Sequence, residues 1–287
     1  MHIDIHTRFI TLLGDPLAQS FAARMQNRGY EAAGLNLVYF YTITGQEHLG
    51  DIVNGLRYMP VAGFAVTKPN KVKVLEYLDE LDPLCRKMGS SNTVVKLPDG
   101  RLKGYNTDGT GFYTALTEAG IDVTKERFFC FGSVAGRAMC SVLAYHGATK
   151  IWITDLFPES ARSLVEDINK NFAPVAEMVP YEDFSKVGEA TVVLNASGVG
   201  MGQSIGKTPL PPEFIQKDQF YFDACYNPAR TRFLENAEKA GCRVMNGLTM
   251  SLYQGTAQVE LWSGQKAPEE AMRRELEKIL EEKKQQD

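Results

Sequence analysis

The stretch at residues 128–155 constrains this chain more than any other. An apolar run of strand length (FFCF, 128–131) is followed by a tight turn, Gly132-Ser133-Val134-Ala135-Gly136-Arg137-Ala138, and a helical stretch over 135–146. A second apolar run, KIWIT at 150–154, then ends in Asp155. Strand, glycine turn, helix and strand in that order open a doubly wound nucleotide-binding sheet. Glycines belong at the turn because only a residue without Cβ lets the backbone close on a pyrophosphate at the helix N-terminus. Gly132 and Gly136 supply two of them. An acid at the end of the second strand, about 20 residues on, is where such folds accept the adenosine ribose hydroxyls. It would repel a 2′-phosphate, and Leu156-Phe157 follows it in place of an arginine. NAD is therefore the expected cofactor, with NADP less favoured; the alternative is that Asp155 only caps the helix starting near Pro158.

The same rhythm occurs earlier. Residues 8–14 (RFITLLG), 37–44 (LVYFYTIT) and 61–66 (VAGFAV) have strand character. Residues 21–33 and 47–57 between them carry apolar side chains at helical intervals of three and four. This order predicts an α/β fold with an open, mostly parallel sheet. A helix over 71–81 and a hairpin of 92–97 with 101–105, turned at Pro98-Asp99-Gly100, close the first unit near residue 105. A helix over 108–118 leads to the Rossmann-type unit, which continues through helix 158–171 and strands 191–195 and 219–223. Helix 247–261 has no strand after it, and an amphipathic helix is expected over 268–284.

Composition excludes several classes. With 287 residues, 44% hydrophobic and 23% charged, the chain can bury two cores without disulfide or metal staples. A net charge of −4 and no long Lys or Arg run leave nothing to neutralise a nucleic-acid backbone. No apolar run approaches the roughly 20 residues of a membrane span. Residues 1–7 are polar where a signal peptide would be basic and then apolar, so the expected location is cytoplasmic. Cys85, Cys130, Cys140, Cys225 and Cys242 form no CxxC pair, and of the four histidines His2 and His6 sit at the N-terminus. These predict buried thiols and no metal site.

The chemistry must come from other side chains. Val66-Thr67-Lys68-Pro69-Asn70-Lys71 runs from a strand end into a turn, on the side of an open sheet where ligands bind. Lys71 alone would be an ordinary surface lysine. The polar run Asn106-Thr107-Asp108-Gly109 could bring it a carboxylate. A lysine can then move the proton that leaves a hydroxyl as its hydride goes to nicotinamide, while the aspartate holds the amine and tunes its charge.

Six segments resemble the shikimate dehydrogenase family: GDPLAQS (14–20), VTKPNK (66–71), SNTVV (91–95), GYNTDGTGF (104–112), DACYNPARTRFL (223–234) and NGLTMSLYQGTAQVELW (246–262). They stand in family order over most of the chain. The resemblance implies a substrate-binding domain at 1–105, an NAD(P)-binding domain at 106–246 with a cleft between them, and helices over 247–287 packing back onto the first. It also implies reversible oxidation of a ring hydroxyl in shikimate, quinate or a related cyclic hydroxy acid. Carried over by position, Lys71 is the catalytic lysine and Asp108 its partner. Asn92, Thr67, Tyr226 and Gln254 are substrate contacts, and Ser20 is the first of two serines on the substrate carboxylate. Gly132, Ser133, Val134, Ala135 and Gly136 form the cofactor loop, Asp155 takes the ribose, and Asn195, Ser197 and Gly247 complete the cofactor site. The implied partners are the small acid and the dinucleotide, with a homodimer left open.

The departures from the family pattern lie at one end of that site. The second serine is Ala22 and the proline after it Ala23; an asparagine has become Ala65, an aliphatic residue Lys68, and a histidine Gln19. The cofactor loop is one residue shorter, with Val134 in place of a glycine, and Asp155-Leu156-Phe157 replaces an Asn-Arg-Thr run suited to the NADP phosphate. Each lost hydrogen bond to a charged group costs about 1.5–3 kcal/mol, a tenfold to hundredfold fall in affinity. Lys68 or Arg24 could supply a replacement charge. Two alternatives follow: a dehydrogenase of an amino analogue of shikimate or quinate, and a catalytically weak small-acid-binding protein.

Overall fold

The computed structural model describes residues 3–17 and 20–284; His2 and Gln19 lie outside them. The chain forms two compact units, Met1–Thr110 with Leu252–Asp287, and Gly111–Ser251.

The first unit opens as β1 (Arg8–Gly14), α1 (Ala22–Ala32), β2 (Leu37–Ile43), α2 (Leu49–Leu56) and β3 (Val61–Val66). β1 runs parallel to both β2 and β3. Every residue of β3 is buried, which is why its sequence is an unbroken apolar run with no polar alternation. β4 (Glu80–Leu81), α3 (Pro83–Met88) and the hairpin of β5 (Thr93–Lys96) with β6 (Leu102–Tyr105) complete a six-stranded sheet of order β2-β1-β3-β5-β6-β4. Leu13, Val53, Phe64, Val74 and Val94 lie in its core.

The helix expected over 71–81 is not formed. The chain makes a 3-10 turn at Lys73–Tyr77, and β4 pairs parallel to β6. Asp79 N donates to Leu102 O at 2.9 Å and Asp82 N to Gly104 O at 2.9 Å. These sheet bonds take the backbone donors that a helix would have used, so tertiary pairing overrides the local periodicity.

After α4 (Thr107–Glu118), the second unit follows as β7 (Arg127–Phe131), α5 (Gly136–Tyr145), β8 (Lys150–Thr154), α6 (Pro158–Asn171), β9 (Ala176–Met178), β10 (Val192–Asn195), β11 (Phe220–Asp223), α7 (Arg232–Lys239) and β12 (Arg243–Asn246). All its pairings are parallel, in the order β12-β11-β10-β7-β8-β9. The order reverses between β7 and β10, the switch point where open α/β sheets bind ligands beyond their carboxyl ends.

Two helices follow, α8 (Gly247–Ser263) and α9 (Glu269–Lys284). The indole of Trp262 on α8 donates to Val94 O at 2.9 Å. That approach requires Gly63 on β3, where a Cβ would lie 2.6 Å from the indole nitrogen. α9 lies against α1, with Arg24 paired to Glu275 at 2.6 Å and Glu282 at 2.5 Å. No helix among the described residues is long and apolar enough to cross a membrane.

Candidate active site

Lys71 and Asp108 meet within the first unit, Nζ to Oδ2 at 2.7 Å, their side chains 36% and 18% exposed. Each is fixed by its backbone. Thr67 N donates to Leu13 O, Asn70 N to Thr67 O and Ser91 N to Lys71 O, all within 2.9 Å, while the buried Asn70 amide donates to Thr44 O at 2.9 Å. Asp108 stands in the first turn of α4, where the helix dipole favours a carboxylate. That helix is capped by Asn106, whose Oδ1 accepts from Gly109 N at 3.2 Å.

The ion pair borders a cavity of about 130 Å³ whose other walls include Ser20, Thr67, Asn92, Gln254 and Gln258. That is room for one small ring, well below the volume of drug-sized pockets. In a larger hollow of about 600 Å³, lined by Arg28, Glu270, Arg274 and Glu275 among others, these charges are already paired, Arg28 to Glu31 and Arg274 to Glu270 within their helices and Glu275 to Arg24 across them.

Asn92 is 4% exposed and its orientation is determined. Oδ1 accepts from Thr107 N at 2.7 Å, Thr93 Oγ1 at 2.9 Å and Thr107 Oγ1 at 3.1 Å. Because the oxygen is filled from behind, the amide nitrogen is the edge left for a ligand, so Asn92 is a donor. Behind it, Gln258 Nε2 donates to Thr93 Oγ1 at 2.8 Å, and Gln26 Nε2 donates to Gln258 Oε1 at 3.0 Å and to Gly255 O at 3.1 Å. Sequence reasoning missed Gln26 and Gln258. The available signal was Gln258 lying four residues after Gln254, on the same helix face.

At the Ser20 end, Ser20 Oγ accepts from Ala22 N at 3.3 Å, and Tyr41 OH donates to Ser20 O at 2.9 Å while accepting from Ala23 N at 3.0 Å. Neither of the expected replacement cations is here. Arg24 is turned to α9, and Lys68 is exposed and outside the cavity wall.

The residues assigned to the cofactor, together with Tyr226 on the half-buried loop after β11, belong to the second unit. Gly132 has φ +92°, and a Cβ on it would meet Ser197 N and Cα at 2.5 Å. Only glycine lets these two loops close at the ends of β7 and β10. Ala135 caps α5 without a side-chain hydrogen bond, which leaves first-turn N–H groups for a pyrophosphate. Asp155 Oδ2 accepts from Ser133 N at 2.7 Å and Ser133 Oγ at 2.6 Å, and Oδ1 from Phe157 N at 2.9 Å. Burial pushes this carboxyl up, but the bonds from Phe157 and Ser133 outweigh it and hold the group below its ordinary value. Asp155 therefore both ties the glycine loop to β8 and begins the turn into α6. Val134, Leu156 and Phe157 are exposed at 83%, 61% and 67%. Arg137 is paired to Asp167 at 2.6 Å, and Arg162 lies 3.6 Å from Glu159. The glycine loop and the β8 end thus present an acid beside exposed apolar side chains.

Asn195 is fully buried and committed to its own loop and to the end of β11. Its Nδ2 donates to Val199 O and Asp223 Oδ1 at 2.9 and 3.0 Å, and its Oδ1 accepts from Ser197 Oγ at 2.7 Å. Asp223, also missed from sequence, additionally accepts from Thr231 Oγ1 at 2.5 Å. Burial pushes its carboxyl above the ordinary value. Gly247 begins α8 where a Cβ would strike Ala224 O. All five cysteines are buried and free, and no metal-binding group of three His, Cys, Asp or Glu occurs among the described residues.

Known proteins resemble this chain in sequence and fold. Residues 12–94 match the shikimate dehydrogenase substrate binding domain and residues 247–277 the shikimate 5′-dehydrogenase C-terminal domain. A shikimate dehydrogenase (NADP(+)) of Moorella thermoacetica is 36% identical over 284 residues, covering 98% of this chain and 96% of the relative. The chain belongs to the shikimate dehydrogenase family. A Listeria monocytogenes shikimate 5-dehydrogenase, solved with shikimate and NAD, superposes with a TM-score of 0.91 at 35% identity, over 96% of this chain and 98% of that one. A 5-ketofructose reductase from a Gluconobacter strain, solved without ligand, superposes with a TM-score of 0.88 at 28% identity, over 96% of this chain and all (100%) of the other. This protein is thus an oxidoreductase of the shikimate dehydrogenase family acting on a CH–OH group.

Proposed function

We propose that this chain reversibly oxidises a ring hydroxyl of a polyhydroxylated cyclic substrate of the shikimate and quinate type, using NAD, with Lys71 and Asp108 at the chemical step. The observation that carries this reading is the 2.7 Å ion pair on a ring-sized cavity. In the reduction direction, the Lys71 ammonium delivers a proton to the carbonyl oxygen and becomes the amine; in the oxidation direction, Nζ as the neutral amine takes the proton that leaves the hydroxyl. Asp108 keeps Nζ in one place and compensates its charge. Asn92 donates to a ring hydroxyl oxygen, and Thr67 and Gln254 read its neighbours. When bound, the nicotinamide accepts or returns the hydride. The first unit is the substrate domain on this reading, and the second binds the dinucleotide at the Gly132 loop.

The preference for NAD rests on Asp155 and on Arg137 and Arg162 being paired to Asp167 and Glu159, although the Moorella relative is named for NADP(+). The binding-protein and amino-analogue alternatives find no support among the relatives. The Gluconobacter neighbour is named for 5-ketofructose, a substrate without a carboxylate, so this family's fold admits neutral hydroxyketones as well as acids.

Initial rates of NAD and NADP reduction with shikimate, quinate and uncharged counterparts test the proposal. Replacing Lys71 with Ala should lower kcat by roughly 10²–10⁴-fold and leave NADH affinity unchanged, since a positioned proton donor contributes about that much. An unchanged kcat would remove Lys71 from the mechanism.

A further inference from the structure

The proposed reaction leaves the substrate's outer substituent unspecified, and the cavity wall constrains it. Ser20 Oγ accepts from Ala22 N, and the same wall includes Leu12, Tyr39 and Ala65. Leu12, Tyr39 and Ala65 are 7%, 2% and 2% exposed, so little water reaches this wall from behind. Lys71 is the cation among the described lining residues, and it is bonded to Asp108. Arg24 holds two glutamates of α9, and Lys68 points to solvent. The remaining lining donors are neutral: the amides of Asn92, Gln254 and Gln258, the hydroxyls of Ser20 and Thr67, and the Tyr39 phenol, whose proton is held by burial and by the nearby Tyr41. A carboxylate has about four lone-pair sites and loses its hydration on entry. Here, with Ala22 and Ala65 in the wall and no unpaired cation among the described lining residues, it would meet only neutral donors and aliphatic carbons, an arrangement that penalises a buried charge.

Resting on the dehydrogenase reading above, we propose that this cavity selects an uncharged polyol or hydroxyketone ring, its Ser20-side substituent a hydroxymethyl, ester or similar neutral group. The chemical step is unchanged: the C–H pair leaves as hydride to the nicotinamide, and the O–H proton goes to Lys71. The neutral substituent needs only the one or two hydrogen bonds that Ser20 and Tyr39 offer, and its carbon skeleton packs on Ala22, Ala65 and Leu12.

The test compares shikimate with its methyl ester, which keeps the ring and the reacting hydroxyl and removes only the charge. With the full chain and saturating NAD, the ester should exceed the acid in kcat/KM by at least about tenfold, the effect of one missing hydrogen bond to a charged group. Ala22→Ser, which adds a hydroxyl beside Ser20, should narrow that ratio by about the same factor. A shikimate kcat/KM equal to or above that of the ester overturns the proposal, as does a ratio unmoved by Ala22→Ser. If NADH binds but neither compound is turned over, the catalytic reading fails, and calorimetric binding of the same two compounds still decides the cavity's preference. Tighter binding of the ester sustains it; equal or tighter binding of the acid, or no binding of either, refutes it.

Discussion

Replacing Thr93 with Val probes the hidden part of the site, because Thr93 Oγ1 joins three elements. It accepts from Gln258 Nε2 at 2.8 Å, donates to Asn92 Oδ1 at 2.9 Å and lies 2.9 Å from Thr107 Oγ1. Valine keeps the shape and removes the hydroxyl. Gln258, only 2% exposed, then loses the acceptor for its amide, at about 1–3 kcal/mol, and one further hydrogen bond is lost, at about 0.5–1.5 kcal/mol. Asn92 Oδ1 keeps its two bonds from Thr107, so the pocket survives with a looser amide. The expected destabilisation is about 2–4 kcal/mol, with KM for the ring substrate raised about fivefold and kcat nearly unchanged. The stability assay is urea unfolding followed by fluorescence of Trp262, which is bonded to the same unit, in a Trp152→Phe background. Trp152 is in the other unit, and its buried indole nitrogen has no partner, so that change removes no hydrogen bond and serves as the common reference for all variants. Adding Gln258→Leu removes the orphaned amide, while Gln26 Nε2 keeps Gly255 O. The double variant should therefore lose about 1–2 kcal/mol less than the sum of the single ones. A Thr93→Val loss below about 0.5 kcal/mol, or strict additivity, would show that the network does not hold Asn92.

Further predictions concern the second unit. Asp155→Ser with Leu156→Arg should move cofactor preference from NAD towards NADP in steady-state assays; an unmoved ratio would place the ribose contact elsewhere. Asp155 titrates below its ordinary value of 3.8 in the folded state, so its stabilisation is complete above the unfolded value and disappears as pH falls through the folded one. The stability difference between the native chain and Asp155→Asn should accordingly be full at pH 7 and shrink below about pH 4, and a difference independent of pH from 2 to 7 would contradict this. Gly132→Ala puts a methyl 2.5 Å from the Ser197 backbone at φ +92°. NADH titration should show a loss of affinity of at least about tenfold, from strain of about 1–3 kcal/mol; unaltered binding would mean that this loop does not form the cofactor cradle.

Much of the frame was legible before any coordinates. β1, β3, β7 and β8 are short apolar runs bounded by glycine, aspartate or proline, and such runs survive because parallel strands are buried on both faces. The hairpin was announced by Pro98-Asp99-Gly100, and Gly100 does take a positive φ of +87°. β9, three residues long, carries too little pattern to detect. α7 was missed although Thr231 caps it, its side chain accepting from Leu234 N, a signal that a closer reading of Thr231-Arg232-Phe233-Leu234 could have used. The false helix at 71–81 shows the opposite failure, a strong local period overruled by a sheet edge.

What the sequence determined by itself is therefore local. The order of strands and helices, the glycine that the β7 turn requires, the acid after β8, and the presence of a lysine and an aspartate able to move a proton all depend on neighbours in the chain. Only the tertiary structure decided which way the Asn92 amide faces, that Gln26 and Gln258 stand behind it, and that Asp155 grips Ser133. It also decided that Arg24 is paired with α9 and absent from the wall of the cavity beside Lys71. Arg24 and Glu275 are 251 residues apart, and no period of 2 or 3.6 along a strand or helix carries information over such a distance. The charge of the pocket, and with it the class of molecule it can hold, is set by pairings of that long-range kind.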